Sequence, residues 1–525
     1  MKRNIVLAAM MIGALPMMAQ ETYENANIVT EDLNGTARYV GMGGAMEALG
    51  ADISTIGTNP AGIGLFRKSQ VNASLGVISQ SDVETSNYTN KTNMSFDQIG
   101  FVYSARTNST SFLNVAFNYH KSRNFDQILS ATGRLDNASQ NKLSYLKGGG
   151  GLPDDTDEQK KYKEEYFDNF SKSNAFSQVD YLHYNTTLYD SYLDNFGYWN
   201  CDNYSINRSS KGYIGEYDFN ISGNINNRVY LGLTVGIHDV YYNSYVDYTE
   251  TASRYYDFAA RLVDERKITG YGYDVKAGII VRPIEESAFR IGVSVASPIF
   301  YDLESTNYTT LSSNVGSESI SETYEFRMNT PWKFGVSLGH TIDNMLALGA
   351  SYEYSDYGAI DNRYKDGGYY DYYGDWHDTS SSDIVMNSDT KANLKGVHTF
   401  KIGAELKADP NIAVRLGYNY VSAAYKTDAF RDQSLNSQGV YYSSTTDYTN
   451  WKDTHRITCG FGYQIDNFNI DLAYQFSTTN GEHYPIMSYY ADVDGGEPVE
   501  NNNIADMTKV SNKRHQLLLT LGYRF

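Results

Sequence analysis

The stretch Gly335-Val336-Ser337-Leu338-Gly339 matches G-x-S-x-G, the pattern that presents a nucleophilic serine in many hydrolases. That chemistry needs a sharp strand–turn–helix around the serine. Here Trp332, Phe334, Val336 and Leu338 alternate with Lys333, Gly335 and Ser337, so the serine belongs to a strand. The glycine run Gly148 to Gly151 lacks the Lys-Ser/Thr of a phosphate loop. Nine histidines are scattered, with no two at ligand spacing on a common element. The acidic pairs between 357 and 393 lack the spacing of an EF-hand. No catalytic residue, metal or cofactor is therefore expected. What remains are cations on the polar face of alternating stretches: Lys276, Arg290, Lys333, Lys401, Arg415 and Arg456. Such cations either brace a polar lumen or meet a ligand carboxylate, for which arginine offers two parallel bonds. Arg290, Lys333, Lys401 and Arg415 are the candidate ligand contacts.

The elements that carry these cations are strands. From Lys68 onward the sequence alternates apolar and polar residues with period two. Val229, Leu231, Leu233, Val235 and Ile237 oppose Tyr230, Gly232, Thr234, Gly236 and His238, and Leu517, Leu519, Leu521, Tyr523 and Phe525 share one face of the last stretch. About fourteen such segments recur, each near the roughly 9–11 residues that a tilted membrane strand requires. Alternation alone does not separate a soluble sandwich from a membrane barrel. The connections do. Tight turns at Asn226-Asn227, 283–286, 342–344, 408–411 and Asp466-Asn467 alternate with long loops at about 122–210, 247–266, 302–320, 357–393, 425–452 and 479–511. Short turns on one side and long loops on the other are the mark of outer-membrane barrels. Tyrosines gather where strands meet loops, suited to the lipid–water interface. The expected fold is all-β, a transmembrane antiparallel barrel of about fourteen strands.

Bulk properties agree. The 525 residues carry a net charge of −19, which argues against a nucleic-acid partner. Mean hydropathy is −0.49, and after residue 20 no apolar run approaches a spanning helix. Lys2-Arg3, the apolar Ile5 to Leu15 and Ala19 before Gln20 read as a secretory signal peptide over residues 1–19. Cys201 and Cys459 force no disulfide. The segment Asp154 to Phe170 has the composition of a solvated surface helix.

One stretch escapes the alternation. Gly35 to Ser69, GTARYVGMGGAMEALGADISTIGTNPAGIGLFRKS, is rich in glycine and contains the step Asn59-Pro60. A barrel of about fourteen strands falls between those filled by side chains and those that hold a water channel, so something must fill it. Glycine permits tight irregular backbone against a wall. Arg38, Glu47 and Asp52 are placed to pair with lumen charges. Arg38-Tyr39-x-Gly41-x-Gly43-x-Ala45, then Ala51-Asp52, then Asn59-Pro60-Ala61-Gly62 running into the first strand, resembles the hatch of the FadL/TodX family, long-chain fatty-acid and aromatic-hydrocarbon transporters of outer membranes. The resemblance covers this segment, the strand number and the C-terminal aromatic.

The resemblance implies a plug over residues 20–66, with Arg38, Gly41, Gly43, Asp52, Asn59, Pro60, Ala61 and Gly62 as hatch and gating residues, and a barrel over 67–525. It implies passive uptake of hydrophobic or amphipathic small molecules, long-chain fatty acids foremost. Exit would be lateral, through a kink in the third strand near Asn118, Tyr119, His120, Lys121 and Ser122. Leu517 to Phe525, with Tyr523 and Phe525, resembles the signal read by the outer-membrane assembly machinery. The partners expected are a hydrophobic ligand, outer-membrane lipids and that machinery, and the chain is expected not to be an enzyme. Two other readings stand beside this one: a non-transporting surface barrel displaying Tyr-rich acidic loops, and a general porin.

Overall fold

The computed structural model describes residues 21–148, 176–190, 195–252, 257–343, 345–435, 437–489 and 502–525. The expected signal peptide and the charged segment Asp154 to Phe170 lie outside them.

Among the described residues, fourteen antiparallel strands close a ring: β1 (Gln70–Ser81), β2 (Thr92–Arg106), β3 (Phe112–Asn124), β4 (Asn203–Ile225), β5 (Val229–Ala252), β6 (Phe258–Val281), β7 (Arg290–Ala296), β8 (Lys333–Ile342), β9 (Leu346–Asp356), β10 (Gly396–Asp409), β11 (Ile412–Val421), β12 (Tyr448–Ile465), β13 (Phe468–Tyr484) and β14 (Thr508–Arg524). Each strand pairs with the next. β14 then returns to β1, from Ser81↔Lys513 to Gln70↔Arg524. The alternating pattern makes the ring amphipathic. Leu231, Leu233, Val235 and Ile237 are exposed on the outer face, whereas Tyr230, Thr234 and His238 between them are buried inward. An exposed apolar band with a polar interior is the arrangement that lipid requires.

The short turns follow from their residues. Asn226 and Asn227 both take positive φ, 52° and 55°. That is the geometry of a two-residue hairpin, and asparagine tolerates it. Asp466 does the same at φ 50°. At the other end, Tyr352, Tyr418 and Tyr474 each share a hydrogen bond of 2.8 Å with the Nδ1 of His398, His455 and His515 on the neighbouring strand. These repeated pairs sit where interfacial anchors are favoured.

The stretches expected as loops at 247–266 and 302–320 are largely strand. β5 and β6 extend to Ala252 and from Phe258, and a hairpin of Phe300–Ser313 with Ser317–Asn329 stands above the ring. Alternation weakens there because both faces become polar, yet the pairing continues. Proline marks where the hairpin leaves the ring, at Ser297-Pro298 after β7 and Thr330-Pro331 before β8. Proline has no N–H to give the ladder. Residues 357–393 form strands Asp361–Tyr370 and Trp376–Ser382 and a helix, Ile384–Asn393. Within 122–210 lie strand Gln127–Arg134 and helices Gln140–Lys147 and Gln178–His183. These parts share a core of Leu135, Leu182, Tyr204, Tyr248, Leu262 and Ile486. Cys201 is buried in it, Cys459 is exposed on β12, and both are free.

Candidate functional site

Residues 22–66 contain no strand and run inside the ring. Helix α1 (Thr22–Val29) stands at the upper end, and α2 (Ala37–Gly41) follows. Two 3₁₀ turns, Ile53–Gly57 and Pro60–Leu65, complete the segment. Each is started by a side-chain cap, which satisfies an orphan N–H of the first turn. Thr36 accepts from the Tyr39 amide, Asp52 from Ser54, and Asn59 from Ala61. Proline at the first helical position suits Pro60, because its missing N–H has no partner to lose.

The sequence pattern did not reveal how this segment meets the wall. Eight successive strands, β5 to β12, each turn a glycine inward at Gly232, Gly278, Gly292, Gly339, Gly349, Gly403, Gly417 and Gly460. A Cβ on Gly232 would fall 2.3 Å from the Pro60 carbonyl carbon, one on Gly278 2.1 Å from Asn59 Oδ1, and one on Gly349 1.9 Å from the Ala45 oxygen. At Gly403 and Gly417 it would fall 2.2 Å from Met42 O and from Gly43 N. Gly339, Gly349, Gly403 and Gly417 are direct cross-strand partners. The segment therefore seats its backbone in a groove floored by strand backbone. Asn59 and Pro60 are fully buried there.

Charge fixes the same region. Arg38 donates from Nε and Nη2 to both oxygens of Glu405, at 2.9 Å each. Arg415 bridges Glu405 and Asp471, at 2.6 Å each. Lys401 bonds Glu47 at 2.9 Å, and Arg290 donates to the Leu49 carbonyl at 3.1 Å. Lys333 reaches Glu31 at 2.6 Å. Thus Arg290, Lys333, Lys401 and Arg415 all engage the N-terminal segment or a barrel carboxylate. Among the described residues Asp52 forms no ion pair, and it accepts from Thr36 Oγ1 at 2.9 Å. The acids Glu405 and Asp471, on the same polar faces as the cations, went unremarked in the sequence. So did Asp32, which stands among Arg123 (3.2 Å), Arg514 (3.4 Å) and Arg456 (3.8 Å). Those three guanidinium groups hold its carboxyl well below the usual carboxylate range.

The third strand departs from its neighbour within the predicted stretch. β2 and β3 pair from Arg106↔Phe112 to Gln98↔His120 and no further. β2 continues upward on β1 alone, to Thr92. β3 stays with β4, with a bulge between Lys121 and Arg123. It then reaches Arg514 of β14, whose Nη2 donates to Asn124 Oδ1 at 3.3 Å. Side chains span the parted strands. Lys121 Nζ donates to Ser95 Oγ at 3.0 Å, and Phe96 stacks on Tyr119 at 5.9 Å. Asn34 of the N-terminal segment donates to Asp97 Oδ1 at 3.0 Å and to the Lys121 carbonyl at 3.1 Å, one contact on each strand.

Several cavities lie along the lumen formed by the described residues, and three of them stand out by volume. The upper, of about 220 Å³, is lined by Tyr23, Arg123, Tyr242, Tyr425, Arg431 and Trp451 among others. The middle one, of about 130 Å³, faces Glu31, His120, Lys276, Lys333 and Lys401. The lower, of about 430 Å³, faces Arg38, Asp52, Glu405 and Arg415. Asp32 lines both the upper and the middle cavity. Ser337 is a buried residue of β8 facing Gly292, with no turn or helix beside it.

No protein-family model and no curated protein matches the sequence. Among solved structures, the chain is similar to a FadL homologue of Pseudomonas aeruginosa at 12% identity and a TM-score of 0.49, covering 97% of this chain and 100% of that one. It is also similar to the toluene transporter TbuX of Ralstonia pickettii, at 11% identity and a TM-score of 0.48, covering 94% and 99%. The toluene transporter TodX of Pseudomonas putida gives 12% identity and a TM-score of 0.46 over the same shares.

Proposed function

We propose that this chain is an outer-membrane transporter that passively admits hydrophobic or amphipathic small molecules, long-chain fatty acids foremost. The observation that carries the reading is the parting of β3 from β2 beside a lumen filled by the chain's own N-terminal segment. A filled axis opposes a general pore, and an interrupted wall offers an exit toward lipid. The upper cavity mixes Tyr23, Tyr242, Tyr425 and Trp451 with Arg123 and Arg431, a lining for an apolar chain with an anionic head. The residue types of 38–62 resemble the FadL/TodX hatch, which supports the same reading. Residues 20–66 serve as the hatch. Its lower part, with Asn59 and Pro60, is the anchored part, because the glycine groove leaves it no clearance. The part that shifts is 29–34, ending on Asn34 between the two strands.

The test is oleate uptake by liposomes holding the refolded protein, beside single-channel conductance. Saturable uptake with negligible conductance is the expected result; steady conductance without uptake would make it a porin. Ser95→Cys with Lys121→Cys, bridged by a short bis-maleimide in a Cys459→Ser background, is expected to abolish uptake while ligand binding persists. Unchanged uptake in the bridged protein would sink the lateral exit.

A further inference from the structure

Beneath the third-strand bulge, four strands bring six ionisable side chains together on the lumen face: His120 of β3, Glu216 and Asp218 of β4, His238 of β5, and Asp274 and Lys276 of β6. All but His120, which is partly buried, are almost fully removed from solvent. Three carboxylates face one ammonium, so with neutral histidines two negative charges stand uncompensated. The next charged group across the cavity, Glu31, is another carboxylate, already bonded to Lys333 at 2.6 Å. Uncompensated buried charge costs several kcal/mol. A cation or protons must answer it.

The geometry favours a cation. Lys276 bonds Glu216 Oε1 and Asp218 Oδ1, covering one oxygen of each acid. The other oxygens turn toward the histidines. Glu216 Oε2 lies 3.6 Å from His120 Nε2 and 3.9 Å from His238 Nδ1, and Asp218 Oδ2 lies 3.8 Å from His120 Nδ1. These distances exceed a hydrogen bond. The ring of His120 turns Nε2 to Glu216 and Nδ1 to Asp218, so only one of its nitrogens can face an ion. Taken one donor apiece, His120, Glu216 and Asp218 lie within 4.8 Å of one another, close enough to draw together on one metal with bonds of about 2.0–2.2 Å. His238 supplies a second, independent sign. Its Nε2 meets Asp274 Oδ1 at 3.2 Å. When that nitrogen carries the proton, the Nδ1 lone pair faces Glu216. That Nδ1, like Asp218 Oδ2, is buried without a hydrogen-bond partner. A carboxylate behind the far nitrogen of a histidine is the usual support of a metal ligand. Above the group sits Gly57 of the N-terminal segment, whose missing side chain leaves space beside His120 and Glu216.

We propose that one nitrogen of His120, with Glu216 and Asp218, forms a binding site for a divalent first-row metal of the zinc class, and that His238 turns its Nδ1 toward Glu216 beside it. Asp274 orients His238, and Lys276 balances the remaining charge. The donors join β3 to β4. His120 is the last β3 residue paired with β2, so the metal pins the third strand at the point where it parts. The site does not depend on what the barrel transports.

The full-length protein, refolded in detergent and stripped with EDTA, is titrated with zinc chloride by calorimetry and with cobalt(II) by visible absorption. The expected result is saturable uptake of about one metal per chain, with the intense d–d bands of a four- or five-coordinate cobalt site. His120→Ala and Glu216→Gln are each expected to weaken binding at least about tenfold, with the barrel intact by its unheated gel migration. The cobalt spectrum of the unaltered protein decides the matter even where a variant fails to fold. Absence of uptake, a six-coordinate aqueous spectrum, or affinity unchanged in both folded variants would overturn the site; the first would assign the missing positive charge to histidine protons.

Discussion

Residues 41–60 meet six inward glycines backbone to backbone and the other two, Gly278 and Gly292, with the Asn59 side chain, whereas residues 22–34 reach the barrel largely through side chains. The backbone contacts at those six glycines offer no rotamer to change. The upper one consists of Asp32 among three arginines, Glu31 on Lys333, Asn34 between parted strands, and Thr22 Oγ1 donating to Asp389 at 2.6 Å. Contacts made by long side chains can be exchanged for others, and those made by strand backbone cannot. One continuous segment thus joins a fixed seat to a part able to yield.

The contrast can be broken from below. Glu405→Ala strips the acid shared by Arg38 and Arg415, leaving Arg38 without its carboxylate and Arg415 with Asp471 alone. Removal of one partner from a buried ion pair costs about 3–5 kcal/mol. The expected outcome is release of 36–52 to protease and a lower unfolding midpoint, with strand content unchanged by circular dichroism. Gly349→Ala is expected to cost about 1–3 kcal/mol through overpacking, because its methyl group meets the Ala45 carbonyl. The same substitution at Gly374, where nothing lies within 4 Å, serves as the control for overpacking, although its φ of 87° carries a separate strain. Equal losses in stability at both sites would remove the groove argument. Asn59→Ala removes one cap and is expected to cost about 1 kcal/mol, read as faster amide exchange over 60–65 without release of the segment.

From above, the smallest effect is expected with pH. Burial, with help from Asp432 and Glu21, raises the Asp389 carboxyl to about 6. A raised acid favours the folded contact below its unfolded value, near 3.9, and the advantage is lost as pH rises through about 6. Helix α1 is therefore expected to exchange its amides more slowly at pH 5 than at pH 7.5, once intrinsic rates are corrected. An unchanged or reversed order would dissociate α1 from Asp389.

Much of the barrel was legible, because lipid outside and water inside impose period two on every strand. Val229 to Ile237 could be read at sight. The hairpin of 300–329 could not, since its strands leave the membrane and lose the apolar face. Glycines such as Gly403 and Gly417 were visible only as polar-face residues; their shared function depends on register, which alternation does not give. For the same reason Arg38 suggested a partner but not Glu405, and His120 and His238, far apart in sequence, gave no sign of meeting. Asn118 to Ser122 was marked only by the end of its alternation, and that end coincides with the last β2–β3 pair.

The glycine row also bears on how the molecule is made. A finished ring with no room for one methyl group beside Ala45 could not be threaded afterwards by a segment carrying Tyr39, Met42 and Met46. The segment precedes β1 in the chain, and the seam that completes the ring joins β1 to β14. The wall must therefore close around its own stopper.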